Sequence, residues 1–377
     1  MKYYLIAGER SGDLHAANLI TALKREDPGA TFRAWGGDAM QAAGADLVRH
    51  YRELAFMGFW EVFKNLRTLS RFIDQCQADL LAHRPDVVIL VDYAGFNMRI
   101  AKFAKARGIR VFYYISPKVW AWNQKRAYKI KALVDRMFVI FPFEQDFYRQ
   151  YDYPVDYVGN PLLDAIAAFS PDPHFRQAHH LDGRPIIALL PGSRKQEVEK
   201  MLDVMLTVKA HFPGYQFVVA AVTNLPAAFY ESLAAQYGIR VVYDKSYDLL
   251  SQATAALVTS GTATLETALF RVPQVVCYRL SQISYQITKR LIRVKYISLV
   301  NLIAEREVVP ELIQDALNPG RLHAELAAIV PGGASREMQL AGYREIARKM
   351  GTAGASATAA RLMVGYLRSP ALAGAGV

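Results

Sequence analysis

The sequence predicts an α/β chain of two parallel-sheet halves, each alternating buried strands with helices. Three observations predict it. Asp86–Val91 and Ile186–Leu190 are short apolar runs of the kind found in strands covered on both faces. Helical patterns fall between successive runs, and that alternation requires parallel connections. At 377 residues the chain exceeds one ordinary core, and a Pro/Asp/His-rich segment, Ser170–Pro185, reads as the connection between halves.

In order, Tyr3–Ala7 is the first strand and Ala16–Lys24 the helix after it. Thr31–Trp35 is a strand ending in Gly36-Gly37. Asp86–Val91, Arg110–Ile115 and Arg136–Ile140 follow as strands, with a helix at Arg99–Ala106. The second half repeats the logic with strands Ile186–Leu190, Gln216–Ala221, Arg240–Tyr243, Ala255–Thr259 and Gln274–Tyr278. Two such halves make a cleft, and small ligands bind where strand C-terminal ends face it. Ser369–Val377 is small and featureless, the pattern of a frayed tail.

Composition sets limits. With 52% hydrophobic and 21% charged residues the chain is globular. No run approaches the ~18 apolar residues of a spanning helix. The N-terminus reads as a strand rather than a secretion signal. Cys76 and Cys277 lack CxxC or metal-ligand spacing, which fits a reducing cytoplasm. The net charge of +11 is locally concentrated: Arg99–Arg136 holds eleven Lys/Arg against one acid, Asp135. Nucleic acid, anionic lipid and phosphorylated substrates all suit such a surface.

Three turns carry candidate chemistry. Leu190-Pro191-Gly192-Ser193-Arg194 leaves a strand and enters a helix, where free N–H groups and the helix dipole suit phosphate. Ser193 is placed to cap that helix, and Arg194 adds a forked permanent charge. Ser260-Gly261-Thr262 with Glu266 is a second strand–Gly–helix turn. Side by side, the two offer helix N-termini and hydroxyls to one diphosphate, with Glu266 facing ribose hydroxyls. Gly8-Glu9-Arg10-Ser11-Gly12-Asp13 follows the first strand without forming GxGxxG, and no Walker A sequence occurs. Asp92 ends a strand, where it serves either as a proton acceptor or as a helix cap. No D-x-D triplet and no histidine spacing suggests a metal, so none is expected.

Phe56–Ile73 is the most unusual stretch. Phe59, Val62, Phe63, Leu66, Leu69 and Ile73 share one helical face, with Lys64, Arg67 and Arg71 beside it and Trp60 on the basic side. An apolar face flanked by cations is the pattern of a helix lying in a membrane interface, although core packing explains its apolar face equally simply. Ser116–Trp122, which includes Trp120, places aromatics before Gln-Lys-Arg-Ala-Tyr-Lys-Ile-Lys, suiting stacked RNA bases or a sugar phosphate headgroup. Gln286–Tyr296 is a second basic-apolar stretch; this alternation favours lipid over nucleic acid.

Seven motifs in order, Gly8-Glu9-x-Ser11-Gly12-Asp13, Met57-Gly58, Val91-Asp92 with Phe96-Asn97, Ser116-Pro117-x-Val119-Trp120-Ala121-Trp122, Leu190-Pro191-Gly192-Ser193-Arg194, Ser260-Gly261-Thr262 with Leu265-Glu266, and Ser298-Leu299-x-Asn301-Leu302, resemble lipid-A-disaccharide synthase over about residues 5–345. The resemblance implies a GT-B glycosyltransferase. Residues 1–169 would form an acceptor-binding Rossmann-like domain, 170–345 a UDP-sugar domain, and 346–377 a C-terminal helix returning to the first domain, with Ala355–Leu367 the candidate. It implies inverting, metal-independent transfer with no cofactor. UDP-2,3-diacylglucosamine would donate to the 6-hydroxyl of 2,3-diacylglucosamine 1-phosphate.

By position, Asp92 becomes the preferred general base, with Glu9 not separable from it. Arg194 becomes the diphosphate clamp, with Gly192, Ser193, Ser260, Gly261, Thr262, Glu266 and Asn301 at the UDP-sugar. Gly8, Ser11, Gly12, Asn97 and Trp120 belong to the acceptor side. The expected partners are the two acylated substrates and the anionic cytoplasmic face of the inner membrane, not nucleic acid, and a homodimer is compatible. Gly95 stands where the family usually has a second acid, Arg10 replaces a small residue and Val300 a proline. The rivals are a UDP-N-acetylglucosamine 2-epimerase, which leaves Phe56–Ile73 unexplained, and a non-catalytic RNA-binding protein using Arg99–Arg136.

Overall fold

The computed structural model describes residues 1–55, 66–223, 225–280, 285 and 294–369. It divides into two compact units, 1–167 with 352–377, and 168–351. Phe59, Trp60, Phe63 and Lys64 lie outside the described residues, as do the side chains of Leu66 and Arg67 and the stretch 286–293.

The first unit is built on β1 (Lys2–Ala7), β2 (Thr31–Gly36), β3 (Asp46–His50), β4 (Val87–Val91), β5 (Arg110–Tyr114), β6 (Arg136–Val139) and β7 (Asp156–Tyr157). All pairs are parallel, in the order β3-β2-β1-β4-β5-β6-β7. The central strands are apolar beyond their first residues because helices cover both faces; every residue of β4 is buried. The chain leaves β1 toward β2 on one side, and β4 adds on the other. Between β1 and β4, where Ala7 pairs with Val91, the sheet has its topological switch point, the place where open α/β sheets bind ligands.

The helix Arg10–Glu26 starts directly after Glu9, earlier than expected, and packs Ala16, Leu19, Ile20 and Leu23 on the sheet. The last helix, Ala355–Arg368, buries Ala359, Ala360, Met363 and Val364 in the same core. Arg110 donates to the carbonyls of Tyr366 and Leu367 at 3.2 and 3.1 Å, and Tyr366 donates to Asp156 at 3.0 Å. These contacts fasten the chain's end onto the first unit. In the helix Leu66–His83, Ile73, Cys76 and Leu80 are buried, Leu69 is half-buried and Arg71 is exposed. The described part of the amphipathic stretch thus packs on the core. No helix among the described residues is long and apolar enough to cross a membrane.

The second unit repeats the plan with β8 (Ile186–Leu190), β9 (Gln216–Ala221), β10 (Arg240–Tyr243), β11 (Ala253–Thr259), β12 (Gln274–Tyr278) and β13 (Glu311–Ile313), in the order β10-β9-β8-β11-β12-β13. Its switch point lies between β8 and β11, which pair at Leu190 and Val258. The segment Ser170–Pro185 is not a free connection. It contains the short helix Phe175–Ala178, and Phe175 is fully buried in the second core. The helix Arg336–Met350 runs across position 345 and stays with the second unit, so the chain changes unit at Gly351–Thr352.

Candidate active site

At the first switch point, β4 delivers Asp92 beside the turn that leaves β1. Asp92 and Tyr93 are consecutive left-handed residues, φ 47° and 45°, a conformation that costs non-glycine residues about 1–3 kcal/mol each. The backbone is held there by neighbours: the Asn97 amide donates to the Asp92 carbonyl at 2.8 Å and to that of Val91 at 3.2 Å, and the Tyr113 hydroxyl also donates to the Asp92 carbonyl. Tyr93 rather than Asp92 occupies the N-cap of the helix Ala94–Lys105, so Asp92 is not its capping residue. Burial raises the Asp92 carboxyl above the ordinary aspartate range, opposed by the Lys118 ammonium and the Tyr93 N–H.

The first turn fits against this strand end. A Cβ on Gly8 would lie 2.3 Å from the Tyr93 ring, so only glycine fits there. Gly12 packs close to Ala7. Glu9, Arg10 and Ser11 are exposed, and Glu9 is near enough to raise the Tyr93 hydroxyl, although burial is the larger cause of that shift. Asp13 is structural: its buried carboxylate accepts from the N–H groups of Gly37, Ala39 and Met40 at 2.7 to 3.2 Å.

Two residues expected on the acceptor side prove internal. Asn97 is fully buried and bonded to the Asp92 strand end, so it positions rather than contacts. Trp120 is 6% exposed and packs edge-on to Phe143 at 5.0 Å; the exposed aromatic of its motif is Trp122, over which Arg126 sits at 4.6 Å.

Beneath that motif lies Glu144. It accepts from the N–H groups of Ile140 and Phe141 at 3.2 and 3.0 Å, while Ser116 and Tyr148 share a hydrogen bond at 2.7 Å. Burial pushes Glu144 up to about 7, against the two backbone N–H groups and the nearby Trp120 and Ser116 side chains. The Trp120 indole nevertheless makes no hydrogen bond of standard geometry. A folded-state value above the unfolded one favours the native state fully below the unfolded value. The contribution disappears as pH rises through about 7. Glu144→Gln, which cannot titrate, should therefore gain about 3 kcal/mol on the wild type between about pH 4.5 and about pH 8. Urea midpoints at the two pH values measure this; an unchanging difference removes the buried-acid account.

At the second switch point, the turns after β8 and β11 emerge from neighbouring strands. Gly192 has φ 108°, and a Cβ there would meet the Glu197 carboxylate at 2.8 Å. The helix Lys195–Leu206 has Arg194, not the expected Ser193, at its N-cap. Arg194 is 82% exposed and donates to Glu197 at 2.8 Å. Tyr278, at the end of β12, is close enough to feel both charges, although burial is the main cause of its raised pKa. Gly261 and Thr262 are exposed at the start of the helix Thr262–Leu269. Glu266 accepts from the Tyr247 hydroxyl at 3.0 Å, and burial raises its carboxyl.

Asn301 is fully buried with its amide engaged: its oxygen accepts from the N–H groups of Val308 and Val309, and its nitrogen donates to Val309 and Glu311. It is therefore scaffolding rather than a surface for a nucleotide. Glu311 also accepts from the N–H groups of Ile297 and Ser298 and from the Ser298 hydroxyl at 2.7 to 2.9 Å. Ser260 donates to the Ile297 carbonyl at 2.8 Å, which ties the glycine turn to this scaffold.

Lys118, Glu144, Tyr247 and Glu311 escape the sequence reading. Lys118 alone had a signal, as part of the cation excess. Among the described residues, no group of three or more His, Cys, Asp or Glu is arranged to hold a metal. A cavity of about 520 Å³ in the second unit reaches Gln216 and Arg240 at the starts of β9 and β10, the opposite sheet end from the switch-point turns; its Arg184 is paired with Asp182.

Comparison with known proteins bears on the fold and on the family. A UDP-GlcNAc 2-epimerase from Neisseria meningitidis bound to UDP-GlcNAc has a TM-score of 0.68 at 13% identity, covering 97% of this chain and 99% of that one. The glycotransferase of kitacinnamycin has a TM-score of 0.65 at 16% identity, with 97% and 99% covered. At such identities the likeness speaks for the fold, the GT-B pair of Rossmann-like domains, and does not separate epimerase from transferase. Sequence does. The lipid-A-disaccharide synthase of Syntrophus aciditrophicus (strain SB) is 41% identical over 94% of this chain and 95% of its own. That of Geobacter sulfurreducens is 38% identical over 96% of each. The family model for lipid-A-disaccharide synthetase matches residues 3–361, and the chain belongs to that glycosyltransferase family.

Proposed function

We propose that the chain transfers the 2,3-diacylglucosaminyl group of UDP-2,3-diacylglucosamine to the 6-hydroxyl of 2,3-diacylglucosamine 1-phosphate by one inverting displacement. The observation that carries the reading is Asp92, a largely desolvated carboxylate at the end of a central strand, held in a strained backbone at the switch point. A carboxyl raised toward the working pH is a better proton acceptor than an ordinary aspartate. It takes the proton of the 6-hydroxyl as that oxygen bonds to the anomeric carbon of the donor, and the bond from that carbon to the diphosphate breaks. The electron pair leaves on UDP, whose growing charge meets the Arg194 guanidinium and the N-termini of two helices.

Glu9 is exposed, which makes it the weaker candidate base. Gly192, Ser193, Ser260, Gly261 and Thr262 line the diphosphate turns, Glu266 takes ribose hydroxyls, and Asn301 acts by holding the turn. Arg194 supplies the compensating charge, so neither metal nor cofactor is required. Both substrates are acylated, which suits a peripheral enzyme on an anionic membrane surface; the basic-apolar stretch at Phe56–Ile73 supports this from sequence.

The test is mass spectrometry of a detergent reaction containing both acylated substrates and EDTA. A tetraacyl disaccharide phosphate and one equivalent of UDP are expected, and soluble UDP-N-acetylglucosamine alone should stay unchanged. Conversion of the latter to its C2 epimer, which has the same mass and is read by nuclear magnetic resonance of the soluble fraction, without disaccharide would establish an epimerase instead.

A further inference from the structure

Beside Asp92 lies a pocket of about 160 Å³ whose wall includes Ala94 and Gly95, two and three residues beyond that carboxylate, and Pro117, next to Lys118. Met98, Val119 and Ile130 give it buried or half-buried apolar surface, while Arg99, Arg126 and Lys129 are exposed around it. No acid lines it. The sole acid of the basic stretch, Asp135, is already paired with Lys105. Among the described residues, Arg99, Arg126 and Lys129 form no salt bridge; Arg126 is steadied by Trp122. Three uncompensated cations around an apolar surface repel one another, and a bound anion removes that repulsion.

We infer that this pocket is the subsite for the phosphate of the acceptor, a phosphomonoester on an acylated sugar. The inference rests on the reading of Asp92 as base for the acceptor hydroxyl. In a hexopyranose the anomeric carbon and the carbon that bears the 6-hydroxymethyl group both adjoin the ring oxygen, so the phosphate and the 6-hydroxyl stand apart but on the same side of the sugar. An anion clamp close to the base, but not at it, therefore holds the sugar in register for attack. The forked guanidinium of Arg99 and the ammonium of Lys129 give a dianion charge-assisted hydrogen bonds. A phospholipid headgroup offers the same phosphate chemistry from a different source, and the experiment separates the two.

Arg99→Ala with Lys129→Ala is compared with the wild type in detergent, using 2,3-diacylglucosamine 1-phosphate and the same lipid without its phosphate as acceptors. Both positions are exposed on helices that accept alanine. The ratio of kcat/KM for the two acceptors is the readout, and sedimentation with phosphatidylglycerol vesicles runs in parallel. The expected result is that the double variant loses about 10-fold or more of the preference for the phosphorylated acceptor and still sediments with vesicles. An unchanged preference overturns the assignment, and an unchanged preference with lost vesicle binding gives the pocket to lipid headgroups. Absence of transfer by the wild type with either acceptor sinks the underlying reading and this inference with it.

Discussion

Asp92→Asn is expected to lower kcat by about 10²- to 10⁴-fold, the range general-base catalysis contributes. The substitution isolates the proton-accepting function. Asparagine keeps the size of the side chain and is among the few residues that tolerate a left-handed backbone, here φ 47°. The carbonyl that receives the Asn97 amide and the Tyr113 hydroxyl is untouched. Thermal stability should therefore hold while turnover falls. The KM for the UDP-sugar should stay near the wild-type value, since the proposed nucleotide residues belong to the second unit. Initial rates at saturating substrates measure this. A variant within threefold of the wild type would remove Asp92 from the mechanism and leave Glu9 as the next carboxylate to test.

Arg194→Ala carries the second large effect, a loss of about 10²- to 10³-fold in kcat/KM, comparable to removing one preorganised stabiliser of developing charge. Unfolding does not explain such a loss, because Arg194 is 82% exposed and its pair with Glu197 belongs to a class contributing about 0–1 kcal/mol. That weak pairing also means the guanidinium is readily surrendered to a diphosphate. Removing it leaves the Glu197 carboxylate facing the anion, so UDP inhibition should weaken as well. Arg194→Lys should restore only part of the rate, since a point charge cannot grip two oxygens as a planar fork does. If Arg194→Ala kept both its UDP affinity and its turnover, the departing nucleotide would need another partner.

What the sequence made legible follows from where information is local. The apolar runs of β4 and β8 announce buried parallel strands because covering helices leave no polar face. The glycine turns after β8 and β11 were readable for the same reason, since each is a strand, a break and a helix in sequence. That these strands are neighbours was not readable, because pairing across the switch point joins residues some seventy positions apart. The edge strands β3, β7 and β13 were missed because they are short and carry polar residues.

Motif membership also failed to separate contact from support. Asn97, Trp120 and Asn301 belong to the same set of seven motifs as Asp92 and Arg194, yet all three are buried. A buried amide that fixes a strand end leaves the same mark on a sequence as one that touches substrate. Glu311 had no mark at all, and Glu144 only that of a glutamate in the first turn of a helix opened by Pro142. Their carboxylates act on backbone N–H groups or on a loop brought to them by folding, and nothing in their neighbours along the chain announces a burial that raises Glu144 to about 7. The helix Arg10–Glu26 began earlier than expected because its first turn is polar, with Arg10 and Ser11 exposed and Asp13 buried on backbone N–H groups, which hides it from a reading based on apolar spacing.

The central claim is a single displacement in which Asp92 activates the 6-hydroxyl of the acceptor. Nuclear magnetic resonance of the purified disaccharide tests it most directly, because one spectrum reports both the linked oxygen and the configuration at the new anomeric centre. The account predicts a linkage to oxygen 6 with the β configuration, inverted from the α-linked sugar nucleotide. An α linkage, or attachment to any other hydroxyl, would contradict it.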